Sequence, residues 1–110
     1  MSPPLILVFL LSLVVIHPLC VSAQNRCVPA STASDAQLQA NIDWGCSAGQ
    51  VDCGPVHPGG NCYDPNTVGN HALYVMNAYY QSHGQTSEAC DFKSTGLIVT
   101  YDPSYGTCKL

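Results

Sequence analysis

Charge is scarce in this chain. Its 110 residues include three Lys or Arg and seven Asp or Glu, a charged fraction of 9% and a formal net charge of −4. Three scattered cations form no basic patch, which argues against nucleic acid as a partner, since its binding rests on phosphate contacts. Several motifs are missing too. There is no C-x₂-C pair of the kind that opens most zinc sites. Successive cysteines from Cys27 onward lie 19, 7, 9, 28 and 18 residues apart. No Gly-x-Ser-x-Gly or comparable nucleophile signature accompanies His57, His71 or His83. Asp43, Asp52, Asp64 and Asp91 show no spacing that selects the two opposed carboxylates of a glycosidase. No Asn-x-Ser/Thr sequon occurs. These absences point away from an enzyme, a metal site or any cofactor.

Hydrophobic residues, by contrast, make up 46% of the chain. Much of that excess is positional. Leu5 to Ile16 is apolar apart from Ser12. Such a run fits the roughly 7–15 residues of a signal-peptide core and falls short of the roughly 20 that span a bilayer. The n-region, Met1 to Pro4, has no Lys or Arg, but Val21-Ser22-Ala23 suits signal peptidase. The expected leader is therefore 1–23, and the expected secreted domain is Gln24 to Leu110, 87 residues. Cys20 leaves with the leader. Cys27, Cys46, Cys53, Cys62, Cys90 and Cys108 remain, an even set that reads as three disulfides in a small secreted domain. Six cysteines allow 15 connectivities, and spacing does not choose among them. A domain this small needs such cross-links because its core is limited. No second hydrophobic segment and no glycolipid-anchor tail follow, so no membrane anchor is expected.

The spacing predicts two helices. Ser34-Asp35-Ala36-Gln37 is a capping box, and Leu38, Ile42 and Cys46 recur on one face, giving a helix over 35–45. Asp64-Pro65 reads as the cap and first turn of a second helix over 65–82. Val68, Ala72, Val75, Met76 and Tyr79 form its buried stripe, and Gly84 stops it. Between the helices, Ser47 to Tyr63 is rich in Gly and Pro and reads as an irregular loop pinned by cysteines. Arg26 to Thr32 reads as extended or looped. Leu97 to Tyr101 is β-branched and aromatic and reads as a strand, followed by an Asp102-Pro103 turn and a return at Thr107-Cys108.

The expected secreted domain holds eight aromatics: Trp44, Tyr63, Tyr74, Tyr79, Tyr80, Phe92, Tyr101 and Tyr105. Tyr79 falls on the buried stripe. Tyr74 and Tyr80 lie off it and read as exposed, and Trp44 lies off the face of its own helix. Tyr and Trp offer an apolar ring with a polar handle. Sugars match this with C–H faces that stack and hydroxyls that hydrogen-bond. An uncharged glycan also suits a surface with few charges. The competing reading is a disulfide-rich defence or interaction protein whose rings only fill the core. Joint exposure of Trp44, Tyr74 and Tyr80 separates the two.

Ser34 through Cys46 resembles the first helix of the plant X8 domain, carbohydrate-binding module family 43. Val51-Asp52-Cys53-Gly54-Pro55 and Pro58-Gly59-Gly60-Asn61-Cys62-Tyr63-Asp64-Pro65-Asn66-Thr67 resemble its central signature. His71-Ala72 and Met76 to Gln81 resemble its second helix; Cys90-Asp91-Phe92 and Asp102 to Cys108 resemble its closing segment. The resemblance implies a helix-rich α+β domain with two main helices and a small antiparallel sheet. It implies the pairs Cys27–Cys90, Cys46–Cys53 and Cys62–Cys108. It implies binding of β-1,3-glucans such as callose and laminarin without cleavage, in a free-standing cell-wall protein of the pollen-allergen kind. Two residues depart from the family pattern: Arg26 stands where Trp is usual, and Trp44 where Tyr is common. Exposure readings, rather than the resemblance, give the candidate site: Trp44, Tyr63, Tyr74, Tyr80, Phe92 and Tyr105, with Asp64, Asn66 and Asn77 as polar contributors in a shallow groove near the second helix. A monomer is expected, with a separate glucanase as a second partner.

Overall fold

The computed structural model describes residues 24–110; the expected leader, 1–23, lies outside the described residues. The elements run β1 (Arg26–Pro29), α1 (Asp35–Cys46), α2 (Val68–Ser82) and β2 (Gly96–Val99). Single 3₁₀ turns sit at Gly54–Val56 and Glu88–Cys90. Strands β1 and β2 pair antiparallel, with Cys27 opposite Ile98. The extended stretch at Arg26 is thus the partner of the expected strand. Thr107-Cys108 does not return to β2. It closes a separate small bridge between Tyr105 and Cys108.

Helix α1 begins as its sequence requires. The Gln37 N–H donates to Ser34 Oγ at 3.1 Å, and the Ser34 N–H donates to Gln37 Oε1 at 2.9 Å, a complete capping box. Near its end α1 approaches α2 closely. A Cβ at Gly45 would run into Val75 Cγ1, so only glycine permits this crossing. Helix α2 starts three residues later than Asp64-Pro65 predicts. The Asn70 N–H donates to Thr67 Oγ1, making Thr67 the cap. Pro65 lies in a turn before it, its carbonyl accepting from the Thr67 N–H. Gly84, at φ 78°, ends the helix as expected.

Helix α2 is buried on two sides, and each side builds a core. One core gathers Ala72, Met76 and Tyr80 with Leu38, Ala89 and the Cys27–Cys90 bridge. The other gathers Val75 with Val56 and the cysteines Cys53, Cys62 and Cys108. The remaining disulfides are Cys46–Cys53 and Cys62–Cys108. All three bridges are those the family resemblance implies. Arg26 occupies no aromatic role. Its guanidinium donates to the backbone oxygens of Gln24 and Leu110 and lies 3.9 Å from Asp102, tying β1 to the closing segment.

Candidate functional site

Two of the candidate residues are buried and a third, Tyr74, is half-buried. Tyr80 was expected to be exposed, yet it is 0% accessible. The reason is the helical repeat: Val68, Ala72, Met76 and Tyr80 recur every four residues, and this row faces the first core. Asn77 is 2% accessible, and its Oδ1 accepts the Cys27 N–H at 3.0 Å and a Gln81 Nε2 hydrogen at 3.2 Å. It joins β1 to α2 and does not face a groove. Tyr74 is half-buried, and its hydroxyl donates to the Asp52 carbonyl at 3.1 Å. Burial first, and the Asp52 charge second, push the Tyr74 phenol above its ordinary pKa. Trp44, Tyr74 and Tyr80 are therefore not exposed together.

Tyr105 behaves like Tyr74. Its hydroxyl donates to the Asn70 carbonyl at 3.2 Å, and burial raises its pKa. The half-buried Tyr63 ring packs tilted on His71, 5.5 Å between centroids, and the His71 Nε2–H donates to the Tyr63 carbonyl at 2.8 Å. Asp64 and Asn66 are exposed in the turn before α2.

Trp44 and Phe92 meet elsewhere. Trp44 keeps 43% of its surface in solvent. Its ring meets Tyr79 edge-to-face at 4.9 Å and Phe92 at 6.1 Å, and Tyr79 meets Phe92 at 5.8 Å. The three interplanar angles are 70°, 84° and 74°, so the rings form a corner of nearly perpendicular walls. Such edge-to-face contacts fix ring orientation because the positive edge of one meets the negative face of another. Behind Tyr79, His83 stacks flat at 3.8 Å, held by an Nδ1–H bond to the Tyr79 carbonyl at 2.9 Å. The three rings line a groove of about 280 Å³, with Asn41, Glu88 and Lys93 as its polar walls. A second hollow of about 310 Å³ continues along α1 past Gln37 and Thr95.

Phe92 reaches this corner from an unusual backbone. Phe92, Lys93 and Ser94 have φ of 44°, 54° and 66°, three left-handed residues in succession. Left-handed backbone is unfavourable for residues with a Cβ, so the surroundings must hold it there. Asp91 accepts the Ser94 N–H on its carboxylate, and its carbonyl accepts the Thr95 and Gly96 N–H groups. A Cβ at Gly96 would run into the Cys90 carbonyl, so the turn closes against glycine alone. Reading from sequence missed Tyr79, Asn41, Glu88 and Lys93 as groove walls. The available signal was the placement of Tyr79 at the edge of its stripe. Among the described residues no group of three or more His, Cys, Asp or Glu is placed to hold a metal ion.

A family model for the X8 domain matches residues 25–97, most of the folded chain. The chain belongs to the X8 family. It is 54% identical over 83 residues to the major pollen allergen Ole e 10 of Olea europaea, covering 76% of this chain and 68% of that protein. It is 51% identical over 88 residues to a glucan endo-1,3-beta-D-glucosidase of the same plant, covering 80% of this chain but 19% of that enzyme. It is 43% identical over 89 residues to plasmodesmata callose-binding protein 5 of Arabidopsis thaliana, covering 81% of this chain and 49% of that protein. This X8 chain thus spans nearly one fifth of the glucosidase and about half of the callose-binding protein.

Proposed function

We propose that this X8 domain is a secreted, non-catalytic module that binds β-1,3-glucan of the callose or laminarin type in the plant cell wall. The corner of Trp44, Tyr79 and Phe92 carries the reading. Trp44 offers an open ring for the C–H face of a glucosyl unit, and Asn41, Glu88 and Lys93 line the same groove as hydrogen-bonding partners for its hydroxyls. The groove is shallow and continues into a second hollow, which suits several sugar units of a chain. The lining holds one cation, Lys93, and one anion, Glu88, so no strong field selects a charged ligand. A relative named for callose binding and another for 1,3-glucan hydrolysis support the same ligand class. Of the candidate residues, Trp44 and Phe92 form the binding corner in this reading. Tyr74, Tyr105, Asn77 and Tyr80 serve the framework in this reading, Tyr63 packs on His71, and Asp64 and Asn66 stay exposed in the turn before α2.

The domain acts alone on the polymer as a monomer, and a separate glucanase is its companion on the same substrate. Affinity electrophoresis in laminarin, beside hydroxyethylcellulose, tests the reading: retardation in laminarin alone is expected, and equal mobility in both gels contradicts it. Prolonged incubation with laminarin is expected to release no reducing sugar. An interaction-protein reading has two observations in its favour: Trp44, Tyr74 and Tyr80 are not exposed together, and Leu97, Ile98 and Tyr101 on and beyond β2 are exposed.

A further inference from the structure

Asn41 stands at the junction of the two hollows and lines both, as does Phe92. Its amide orientation follows from its neighbour. The Thr95 hydroxyl is 2.6 Å from the Phe92 carbonyl, an atom that only accepts, so the hydroxyl hydrogen is committed there. Thr95 Oγ1 can then only accept from Asn41. The Asn41 group 2.8 Å away is therefore the Nδ2 amide, which also points at Met76 Sδ, 3.7 Å distant. This leaves Oδ1 turned the other way. Among the described residues no donor reaches Oδ1, and it is not among the buried side-chain atoms that lack a partner, so it meets solvent.

We propose that Asn41 is a specificity-determining contact of the groove: its Oδ1 accepts a hydrogen bond from a glucan hydroxyl, and Thr95 is the positioning residue that fixes it. The inference rests on the glucan reading of the groove. The chain Asn41 to Thr95 to Phe92 also links the acceptor to the left-handed turn. Thr95 is 5% accessible, and its carbonyl accepts the Ala30 N–H at 2.8 Å, so the relay is anchored to the loop after β1. Ring and acceptor are consequently held at a fixed offset. A sugar stacked on the rings presents its hydroxyl to Oδ1 only if the hydroxyl lies at that offset. This is how a neutral groove distinguishes a β-1,3 chain from a β-1,4 chain, because the two linkages direct the neighbouring hydroxyls differently.

The test is calorimetric titration of the folded domain with laminarihexaose and with cellohexaose, for wild type, N41A, T95V and W44A, with thermal unfolding of each. N41A is expected to weaken laminarihexaose binding about tenfold and to narrow the preference over cellohexaose, as loss of one hydrogen bond to a neutral partner does. T95V leaves Oδ1 in place but unfixed, and is expected to weaken binding less than N41A even though it lowers the unfolding temperature at least as much. N41A within twofold of wild type, while W44A has lost binding, overturns the role of Asn41 and leaves the groove reading standing. Equal losses in N41A and T95V that track their unfolding temperatures reduce Asn41 to a framework residue and also overturn it. Failure of wild type to bind laminarihexaose overturns the glucan reading, and the inference with it.

Discussion

The two sides of α2 hold their aromatic rings in different ways. On one side Tyr74 and Tyr105 each spend the hydroxyl on a backbone carbonyl, at Asp52 and Asn70, and act as struts for a loop region. That side has little regular structure and is closed by Cys46–Cys53 and Cys62–Cys108. On the other side, Trp44, Tyr79 and Phe92 are held by one another and by His83. There the scaffold is α1, the two-stranded sheet and the Cys27–Cys90 bridge. In the proposed glucan reading the tethered Tyr74 and Tyr105 serve as struts, and the edge-to-face set keeps the open face of Trp44 for a sugar.

The largest expected effect breaks the strut side. Replacing Cys62 and Cys108 together by Ala opens a link across 46 residues and is expected to cost about 4 kcal/mol; doing the same at Cys46 and Cys53, separated by 7, about 2 kcal/mol. Denaturant titration of the two variants checks both the size and the order. A smaller effect is expected on the groove side from G96A, where the new Cβ meets the Cys90 carbonyl: about 1–3 kcal/mol of stability, with Phe92 displaced and laminarin affinity lowered. Next is Y74F, which removes a strut without touching the groove. About 1 kcal/mol of stability should go while laminarin binding stays, readable as a lower unfolding temperature with an unchanged dissociation constant.

The smallest effect is on pH dependence. Asp102 accepts from the Ser104 hydroxyl and N–H, bonds that, with the Arg26 charge, hold its carboxyl below the ordinary value of 3.8. Its contribution is complete above that value and is lost as pH falls through the lower folded one. D102N should flatten the acid limb of the stability profile slightly. The raised phenols give the opposite limb. The contribution of Tyr74 and Tyr105 is complete below their ordinary value of 10.0 and is lost as pH rises through the folded ones, so Y74F should soften the alkaline limb.

Much of this was legible before the fold. Ser34 and Gln37 carry their capping box locally, so α1 was readable to within one residue. The Ser47 to Tyr63 loop was readable from its Gly and Pro. The start of α2 was not, because Asp64 and Thr67 both suit a cap and only the turn at Pro65 decides between them. Tyr80 is buried where its place off the stripe implies exposure, because a helix buried on two sides has no single apolar stripe, whereas Tyr79 packs partly buried against the first core. Tyr80 follows the four-residue row toward one core, and Tyr79 sits at its edge beside Trp44. Asn77 was unreadable as framework, since its partner, the Cys27 N–H, is 50 residues away. The left-handed turn at Phe92 leaves no local signature at all, being fixed by contacts from Asp91, Thr95 and Gly96.

The contrast between the two kinds of ring is tested most directly by affinity electrophoresis of W44A beside Y74F in laminarin gels. Removing Trp44 should abolish retardation while the domain stays folded at a lowered unfolding temperature, since its contacts to Tyr79 and Phe92 go with it, and Y74F should migrate like wild type. Retardation of W44A equal to wild type, with Y74F released, would contradict the account and place the glucan on the other side of α2.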